Sequence, residues 1–372
     1  MGQSRSGVQH VGIALVVLAL LSSCGSSPGS EPSVQPLSGA GRAAPATAAR
    51  GPVTEVGRFP AFPQGDLPGP LAVKLQEVLD AAVHRGAVRG ATAAVIVVDA
   101  GSWSGAAGVD TQGRPLSPHS ALMTASVGKT VTAAEVLRLV DEGKLGLDDK
   151  ASGHFPHELS AFTANGATIR DLLGMRSSLT DPPSYVDLVD QGQRTPELVK
   201  VVGRRTAPPG TTYAYANINY LLLGEVIEQV TGRTLEQAVR AGVLNAPGLE
   251  GIRYPVKDSM AGDGWRIEAD AATLARWGYE LYGGSVVSDT ALRAMTDFQV
   301  GGYGLGTKDF SREYRVPNAI GHGGQEESHV VRMVAFPDSG VVVTVQANAD
   351  DFDSIHELVS ALRTGAAQAP SG

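Results

Sequence analysis

The sequence predicts an α+β fold: one antiparallel sheet built from both ends of the chain, flanked by helices, with a mainly helical second lobe. Two observations lead to this prediction. Apolar runs with the length of strands occur early, at 91–98 and 103–109, and again late, at 330–336 and 341–346. The stretch between them carries mainly helical patterns. If strands from both ends share one sheet, the helical middle forms a separate lobe and a cleft lies between the two.

The folded part is expected to begin with an amphipathic helix between 71 and 88. Its apolar stripe consists of Leu71, Leu75, Val78, Leu79 and Val83. The buried strand 91–98 follows, and 103–109 is its predicted hairpin partner. A second helix is predicted from Thr124 to Gly143, because no proline interrupts it and Gly143 can end it.

Further helices are predicted through the middle of the chain. Thr168 can cap a short helix, with Asp171 at the capping-box position. A longer helix is expected over 219–230, ended by Gly232. The remaining predicted helices are 235–243, 270–282 and the closing helix 354–363.

The first 24 residues have the pattern of an export signal. Residues 11–21 form an apolar run that is too short to span a bilayer as a helix. The run leads into L-S-S-C, which resembles a bacterial lipoprotein signal, in which the cysteine is lipidated. Cys24 is the only cysteine, and lipidation would account for an unpaired thiol in an exported protein. We expect a protein exported and lipid-anchored to the outer face of the bacterial cell membrane; an ordinary secretory signal is the alternative.

The sequence predicts a division of the chain into four parts. The signal occupies 1–24, and the Ser-, Pro-, Gly- and Ala-rich stretch 25–68 is predicted to be a flexible tether. Residues 69–365 are the predicted folded domain, and 366–372 are a tail. Apolar residues make up 42% and charged residues 18% of the chain, a composition with which a sizeable core can be buried.

Charge and residue spacing argue against several classes of function. The formal net charge is -8 and no basic patch is interleaved with aromatic residues, so nucleic-acid binding is not expected. His154 and His157 have a spacing found in metal sites, but Pro156 lies between them and no H-E-x-x-H is present. We therefore expect no metal and no other cofactor.

Ser126 and Lys129 lie three residues apart at the start of the second predicted helix. At this spacing their side chains share one face, one turn apart. The first turn offers free backbone N–H groups and the positive end of the helix dipole. A lysine held neutral by burial can take the proton of a serine and make it a nucleophile. A capping serine beside a surface lysine is the alternative.

Tyr215 and Asn217 lie in a polar loop that follows a Pro-Pro-Gly turn. A nearby ammonium would lower the pKa of the phenol, so Tyr215 can take part with Lys129 in proton transfer. Asn217 can hydrogen-bond Lys129 or a substrate carbonyl. A buried tyrosine with a local hydrogen bond, next to an asparagine that caps a helix, is the alternative.

The segment I-G-H-G-G at 320–324 comes directly before the C-terminal hairpin. Glycines allow a backbone to approach a ligand closely. The N–H of Gln325, after Gly324, can pair with that of Ser126 as an oxyanion hole, and His322 can donate to the substrate or to the phenol of the tyrosine. A glycine-rich turn with a surface histidine is the alternative.

Three motifs together carry a resemblance to the serine β-lactamase and penicillin-binding-protein superfamily. S-x-x-K stands at 126–129, Y-x-N at 215–217 and H-x-G at 322–324, in that order. The sequences V-D-E-G-K-L-G-L-D-D, T-I-R-D-L-L and P-P-G-T-T-Y-A-Y-A-N between them agree, and the resemblance covers about 71–362. More narrowly, the chain is similar to the class C-like branch that includes D-alanyl-D-alanine carboxypeptidases and related esterases.

The resemblance implies a cell-surface serine hydrolase whose substrate is a small molecule or peptide with an ester or amide bond. Ser126 would attack the carbonyl, while Lys129 and Tyr215 would move its proton. Asn217 would position the substrate, and backbone N–H groups would stabilise the oxyanion before water releases the acyl group. Which of Lys129 and Tyr215 is the base stays open.

Two departures from the family pattern shape the expected substrate. M-R-S-S-L at 175–179 replaces the usual H-T-S-G-L. His322 and Gly323 stand where many β-lactamases have Lys and Thr. The negative charges of Glu326 and Glu327 would repel an anionic ligand. We therefore expect an esterase or D-amino-acid peptidase with weak β-lactamase activity at most. The altered loop alone supports the alternative, a catalytically silent protein that binds peptidoglycan fragments or a partner.

Overall fold

The computed structural model describes residue 56 and residues 59–298 and 301–367. The predicted signal, the lipidation site at Cys24 and most of the predicted tether therefore lie outside the described residues. Within these ranges, no helix combines the length and the apolar character that crossing a membrane requires.

The described residues form ten strands and eleven α-helices. The strands are β1 (Gly90–Val97), β2 (Gly101–Gly108), β3 (Leu122–Met123), β4 (Leu179–Thr180), β5 (Gly203–Arg204), β6 (Glu268–Ala269), β7 (Lys308–Asp309), β8 (Ile320–Glu326), β9 (His329–Phe336) and β10 (Val341–Asn348). The helices are α1 (Gly69–His84), α2 (Lys129–Asp141), α3 (Ile169–Leu173), α4 (Tyr185–Asp190), α5 (Thr195–Leu198), α6 (Ile218–Thr231), α7 (Leu235–Ala241), α8 (Ala271–Tyr282), α9 (Asp289–Met295), α10 (Ser311–Tyr314) and α11 (Asp353–Ala366). Short 3-10 helices occupy Ala125–Gly128, Ala151–His154, His157–Leu159, Ala164–Gly166, Ser259–Ala261 and Pro337–Ser339.

Six strands form one antiparallel sheet in the order β2-β1-β10-β9-β8-β7. β1 comes from the start of the folded part and β10 from its end, and the two pair along their whole length, with Ala94 opposite Thr344. The predicted sheet built from both chain ends is confirmed. The pairs β3–β6 and β4–β5 form two small sheets outside it.

Helices cover both faces of this sheet. Ala93 and Val95 of β1 pack into one apolar core with α1 and α11. Ala94 and Ile96 pack into the other core, which the helical lobe shares. Successive side chains of a strand point to opposite faces, so a strand covered on both sides is a continuous apolar run.

The helical lobe is organised around α6. Every residue of this helix from Ile218 to Ile227 is buried, and α2, α3 and α7 pack against it. Gly232 ends it with a left-handed φ of 66°, as predicted. The predicted capping box of Thr168 and Asp171 is also present at the start of α3.

Residues 59–68, which the sequence assigned to the tether, pack on the domain. Leu67 is buried, and its N–H donates to the carbonyl of Ser102 at 2.8 Å. The rings of Phe59 and Phe62 lie 5.0 and 5.5 Å from the ring of Tyr279. The predicted tether boundary at residue 68 is therefore wrong, because apolar side chains within this Pro- and Gly-containing stretch reach the core.

The glycine-rich segment before the C-terminal hairpin is strand β8 and not a turn. Its glycines allow two backbones to come close: a Cβ at Gly321 would lie 2.0 Å from the carbonyl oxygen of Met333 in β9. Glycine has a low strand propensity, which hides this element in the sequence. As a consequence, His322 is fully buried in the sheet, which excludes the surface histidine of the alternative interpretation.

Candidate active site

Ser126 lies in a 3-10 turn that runs directly into α2. The sequence predicted it in the first turn of a longer α-helix, but α2 begins only at Lys129. Ala125, just before the serine, has a φ of +43°, a conformation that L-residues rarely adopt. Such local strain often marks a functional site. The tighter turn keeps the serine and the lysine on one side, and Lys129 Nζ donates to Ser126 Oγ at 2.9 Å.

Lys129 is fully buried, with an exposed fraction of 0%. Besides the serine, its Nζ donates to Oδ1 of Asn217 at 2.8 Å and to the backbone carbonyl of Asp263 at 2.7 Å. Burial lowers the pKa of Lys129, and the negative charges of Asp263 and Asp181 only partly oppose this. A lysine with a lowered pKa supplies the neutral amine that a general base needs.

The carbonyl of Asp263 is held in place by its own loop. The Asp263 carboxylate accepts the hydroxyl of Tyr185 at 2.9 Å and the backbone N–H of Trp265 at 2.9 Å. The following residue, Gly264, has a φ of +93°, and a Cβ there would lie 2.0 Å from the carbonyl oxygen of Ala125. This loop therefore approaches the serine turn so closely that only glycine fits. Nothing in the sequence pattern pointed to Asp263.

Tyr215 faces both the serine and two lysines. Its hydroxyl hydrogen-bonds with Ser126, and its ring centroid lies 5.3 Å from Nζ of Lys129 and 5.2 Å from Nζ of Lys308. The sequence predicted a lowered pKa for this phenol. The structure gives the opposite direction: desolvation raises the pKa of Tyr215, and the hydrogen bond with Ser126 offsets only part of this effect.

Asn217 is oriented by Asp181, a residue that the sequence analysis did not identify. The Asp181 carboxylate accepts the Nδ2 of Asn217 at 3.1 Å and the backbone N–H groups of Asn217 and Ile218 at 2.9 and 2.8 Å. The amide nitrogen thus points to Asp181, and Oδ1 remains for Lys129. Asn217 occupies the N-cap position of α6 without a side-chain capping bond. Asp181 does the capping from 36 residues away, too far for a local sequence signal.

The altered loop at 175–178 supports the loop that carries Tyr215. The carbonyl of Met175 accepts the N–H of Ala214, and the carbonyl of Arg176 accepts the N–H of Gly210, each at 2.8 Å. Met175 is buried. The replaced family motif therefore leaves a loop that still positions the tyrosine through main-chain hydrogen bonds.

His322 does not reach Tyr215, in contrast to the expectation. Its Nδ1 lies 2.7 Å from the carbonyl of Gly323, so Nδ1 carries the proton, because a carbonyl only accepts. Burial and the charges of Lys308 and Lys129 lower the pKa of His322, which leaves the ring neutral. Its Nε2 therefore accepts from the hydroxyl of Tyr303 at 3.0 Å. His322 holds Tyr303, whose ring meets that of Tyr215 edge-on at 6.2 Å.

Lys308 is a second lysine at the site that the sequence analysis missed. It lies on β7, opposite Gly321 of β8. Burial, together with the charges of Arg332 and Lys129, lowers the pKa of Lys308 to about 8. Its place beside the phenol depends on the pairing of β7 with β8, and the sequence pattern predicted neither of these strands.

Gly324 brings β8 against the serine turn. A Cβ at this position would lie 2.6 Å from the backbone N of Ser126 and 2.9 Å from the carbonyl oxygen of Thr124. No side chain fits in that space. The first N–H groups of a helical turn have no partner within it, so the N–H of Ser126 is available to an incoming oxygen.

The backbone N–H of Gln325 points to the uncovered edge of β8. The N–H of Phe310 donates to the carbonyl of Ala319, and β7 pairs with β8 only at Ile320 and Gly321. In an antiparallel pair, alternate residues direct their backbone groups to the same edge, so Gln325 shares the edge of residue 319. Its side chain turns away and donates to the carbonyl of Asp350 at 2.7 Å. The predicted two-donor oxyanion hole, formed by the N–H groups of Ser126 and Gln325, is compatible with this strand edge and stays a prediction.

A family model and several known proteins match this chain. The model described as Beta-lactamase matches residues 75–366. The D-stereospecific amidohydrolase from Streptomyces sp. superposes with a TM-score of 0.62 and 26% identity, over 77% of this chain and 98% of that chain. The D-amino acid amidase from Ochrobactrum anthropi SV3, solved with L-phenylalanine amide, has a TM-score of 0.65 and 19% identity, over 79% and 98% of the two chains, which supports the fold alone.

A curated relative matches over a shorter stretch. The D-aminopeptidase from Brucella anthropi is 29% identical over 147 residues, which are 37% of this chain and 27% of that protein. The chain spans about a quarter of the length of the first curated relatives that it matches. The match to the family model covers most of the described domain, and the fold agrees with it. The chain therefore belongs to the Beta-lactamase family.

Proposed function

We propose that this protein cleaves an ester or amide bond of a D-amino-acid derivative through an acyl-enzyme on Ser126. The observation that carries the proposal is the 2.9 Å hydrogen bond from Nζ of the fully buried Lys129 to Oγ of Ser126. A serine hydroxyl becomes a competent nucleophile when a base of suitable pKa lies within hydrogen-bond distance.

The opposite pKa shifts of Lys129 and Tyr215 suggest their roles. The lowered pKa of Lys129 suits it to take the proton of Ser126, and the raised pKa of Tyr215 keeps its phenol protonated. As the C–O bond to serine forms, the carbonyl oxygen receives hydrogen bonds from the N–H groups of Ser126 and Gln325. Tyr215 then donates a proton to the departing amine or alcohol and accepts one from Lys129. Water, activated in the same way, releases the acid.

The relatives favour amide substrates with D-amino acids. The Streptomyces protein is a D-stereospecific amidohydrolase and the Brucella protein a D-aminopeptidase. We propose the same substrate class here, with weak β-lactamase activity at most. His322 is engaged by Tyr303 and Gly323, so it is not free to bind the carboxylate of a β-lactam.

The cellular location is a separate proposal that rests on the N-terminal sequence. We propose that Cys24 is lipidated and anchors the enzyme to the outer face of the cell membrane. Membrane fractionation of wild type and Cys24→Ala tests this. Release of the variant into the soluble fraction is expected, and an unchanged distribution would contradict the anchor.

Intact-mass spectrometry with a fluorophosphonate probe tests the nucleophile. We expect one adduct on the wild type, none on Ser126→Ala, and one on Ser160→Ala, which removes an exposed serine as a matched control. A panel of D- and L-amino-acid amides and esters then tests the substrate class. A folded wild type without an adduct would favour the silent binding protein instead.

A further inference from the structure

The side chain of Glu326, the last residue of β8, points to the same face of the strand as Gly324. Residues two apart on a strand point the same way and are separated by about 7 Å. Because the Gly324 face abuts the backbone N of Ser126, the side chain of Glu326 starts out beside the serine turn. It also follows directly after Gln325, whose N–H faces the reacting carbonyl in the proposed mechanism.

One carboxylate oxygen of Glu326 is buried without a partner. Its Oε2 is shielded from solvent and accepts no hydrogen bond from any residue in the described ranges. A desolvated carboxylate without a partner is unfavourable. Burial raises the pKa of Glu326 to about 7, and the charges of Asp263 and Glu327 add to the effect while Arg266 opposes it. A cation bound at Oε2 would remove this penalty.

Two cations that interact electrostatically with Glu326 hydrogen-bond to other groups. Arg266 donates to Asp190 at 2.8 Å. Lys129 donates to Ser126 and Asn217. Neither cation therefore pairs with Oε2 of Glu326.

Lys308 places the opposite charge at the other end of β8. It pairs with Gly321, five residues before Glu326, which is roughly 16 Å along the strand. A substrate that lies along this edge, with its carbonyl at Gln325, meets a carboxylate in one direction and an ammonium in the other. These charges favour a single orientation of a substrate with an amino group.

We propose that Glu326 binds the free α-ammonium group of the acyl residue, an inference that rests on the hydrolase function proposed above. An α-amino nitrogen is two bonds from the carbonyl carbon, so it lies beside the scissile bond in every amino-acid amide or ester and at the N-terminal residue of a peptide. N-acylated counterparts leave the buried carboxylate unpaired and are rejected. The enzyme is thus an aminopeptidase or amino-acid amidase and not a carboxypeptidase.

Kinetics on a matched pair of substrates tests this assignment. D-alanine p-nitroanilide and its N-acetyl form are compared on wild type, Glu326→Gln and the control Glu327→Gln, which removes the same charge from an exposed neighbour. We expect Glu326→Gln to raise KM for the free amine about 10- to 100-fold and to leave KM for the N-acetyl form near the wild-type value. Glu327→Gln is expected to behave as wild type. Equal losses on both substrates, or a wild type that prefers the N-acetyl form, would overturn the assignment.

Binding without turnover separates a failure of this inference from a failure of the proposed hydrolysis. Calorimetric titration of Ser126→Ala with D-alanine amide and N-acetyl-D-alanine amide should show binding of the free amine alone, lost on adding Glu326→Gln. Absence of binding, or equal binding of both, overturns the inference whatever the labelling result. Selective binding together with unlabelled wild type would support Glu326 and refute the hydrolase proposal alone.

Discussion

Nζ of Lys129 donates to Oγ of Ser126 across 2.9 Å from a side chain with no solvent exposure. The lysine has two further acceptors, Asn217 and the carbonyl of Asp263. Burial lowers the pKa of this amine. A neutral amine has only two N–H groups, so in that form Lys129 donates to Asn217 and to the carbonyl of Asp263, and its lone pair is left to accept the proton of Ser126.

Replacing Lys129 with methionine should lower the rate of fluorophosphonate labelling about 10²- to 10⁴-fold, the usual contribution of a general base. The labelling rate of wild type should rise with pH through the lowered pKa of Lys129, because only the neutral amine accepts the proton. Fluorophosphonate labelling, stopped at timed intervals and repeated at several pH values, measures the labelling rate of each protein and its pH dependence. Lys144→Met, an exposed control, should retain the wild-type rate and profile; a similar loss there would contradict the assignment.

Asp181→Asn should disturb the site through Asn217. The variant keeps one acceptor oxygen where the carboxylate now accepts three hydrogen bonds, and each lost charged bond contributes about 1.5–3 kcal/mol. We expect a lower kcat for the D-alanine p-nitroanilide reaction and a lower melting temperature. If Asp181 acts through Asn217, the double variant with Asn217→Ala loses no more kcat than the worse single variant. Additive losses would contradict that role.

Gly324→Ala should abolish acylation. Its Cβ would stand 2.6 Å from the backbone N of Ser126, 2.9 Å from the carbonyl oxygen of Thr124 and 2.7 Å from the Cβ of Ala125, and none of these atoms can move by a side-chain rotation. Removing one oxyanion donor already costs about 10²- to 10³-fold in rate. Gly153→Ala is the matched control, since a Cβ there meets nothing within 4 Å. Full labelling of Gly324→Ala would show that β8 does not form part of the site.

Ser178→Gly should stabilise the protein by about 1 kcal/mol. Ser178 has a φ of +64°, and its buried hydroxyl finds no partner among the described residues. Glycine relieves the strained backbone and removes the unpaired group. Ser177→Gly is the contrast: its hydroxyl bonds with Asn219 and with the N–H of Leu179, so that variant should be less stable. Urea unfolding of both measures the difference, and a destabilised Ser178→Gly would contradict the strain argument.

The pH dependence of KM should distinguish free-amine from N-acetyl substrates. Below its pKa of about 7, Glu326 is protonated and binds an ammonium weakly. KM for D-alanine p-nitroanilide should therefore fall as pH rises through 7, then rise again when the amine loses its proton near 8. The charged groups that face Glu326 are Asp263, Glu327, Asp190, Arg266 and Lys129. In Glu326→Gln the fall in KM as pH rises through 7 should disappear. If that fall persists in the variant, the titration belongs to another group.

Residues that act through local spacing could be predicted from the sequence. Ser126 and Lys129 are one turn apart, and the capping box of Thr168 is a local pattern. Asp181 and Tyr303 carry no such signal, because each reaches its partner only after distant segments fold together. The predicted direction of the Tyr215 pKa was also wrong, because desolvation raises this pKa, Asp263 and Asp181 raise it further, and burial is not readable from spacing.

The loop that carries Tyr215 is supported by main-chain hydrogen bonds, and this affects how members of the family can be recognised from sequence. The bonds from Ala214 to Met175 and from Gly210 to Arg176 use carbonyl oxygens, which every amino acid possesses. Side chains at these positions can change over evolutionary time while the shape of the loop persists. A search that requires H-T-S-G-L would therefore pass over this chain, whereas one that follows the serine, lysine and tyrosine spacing would retain it.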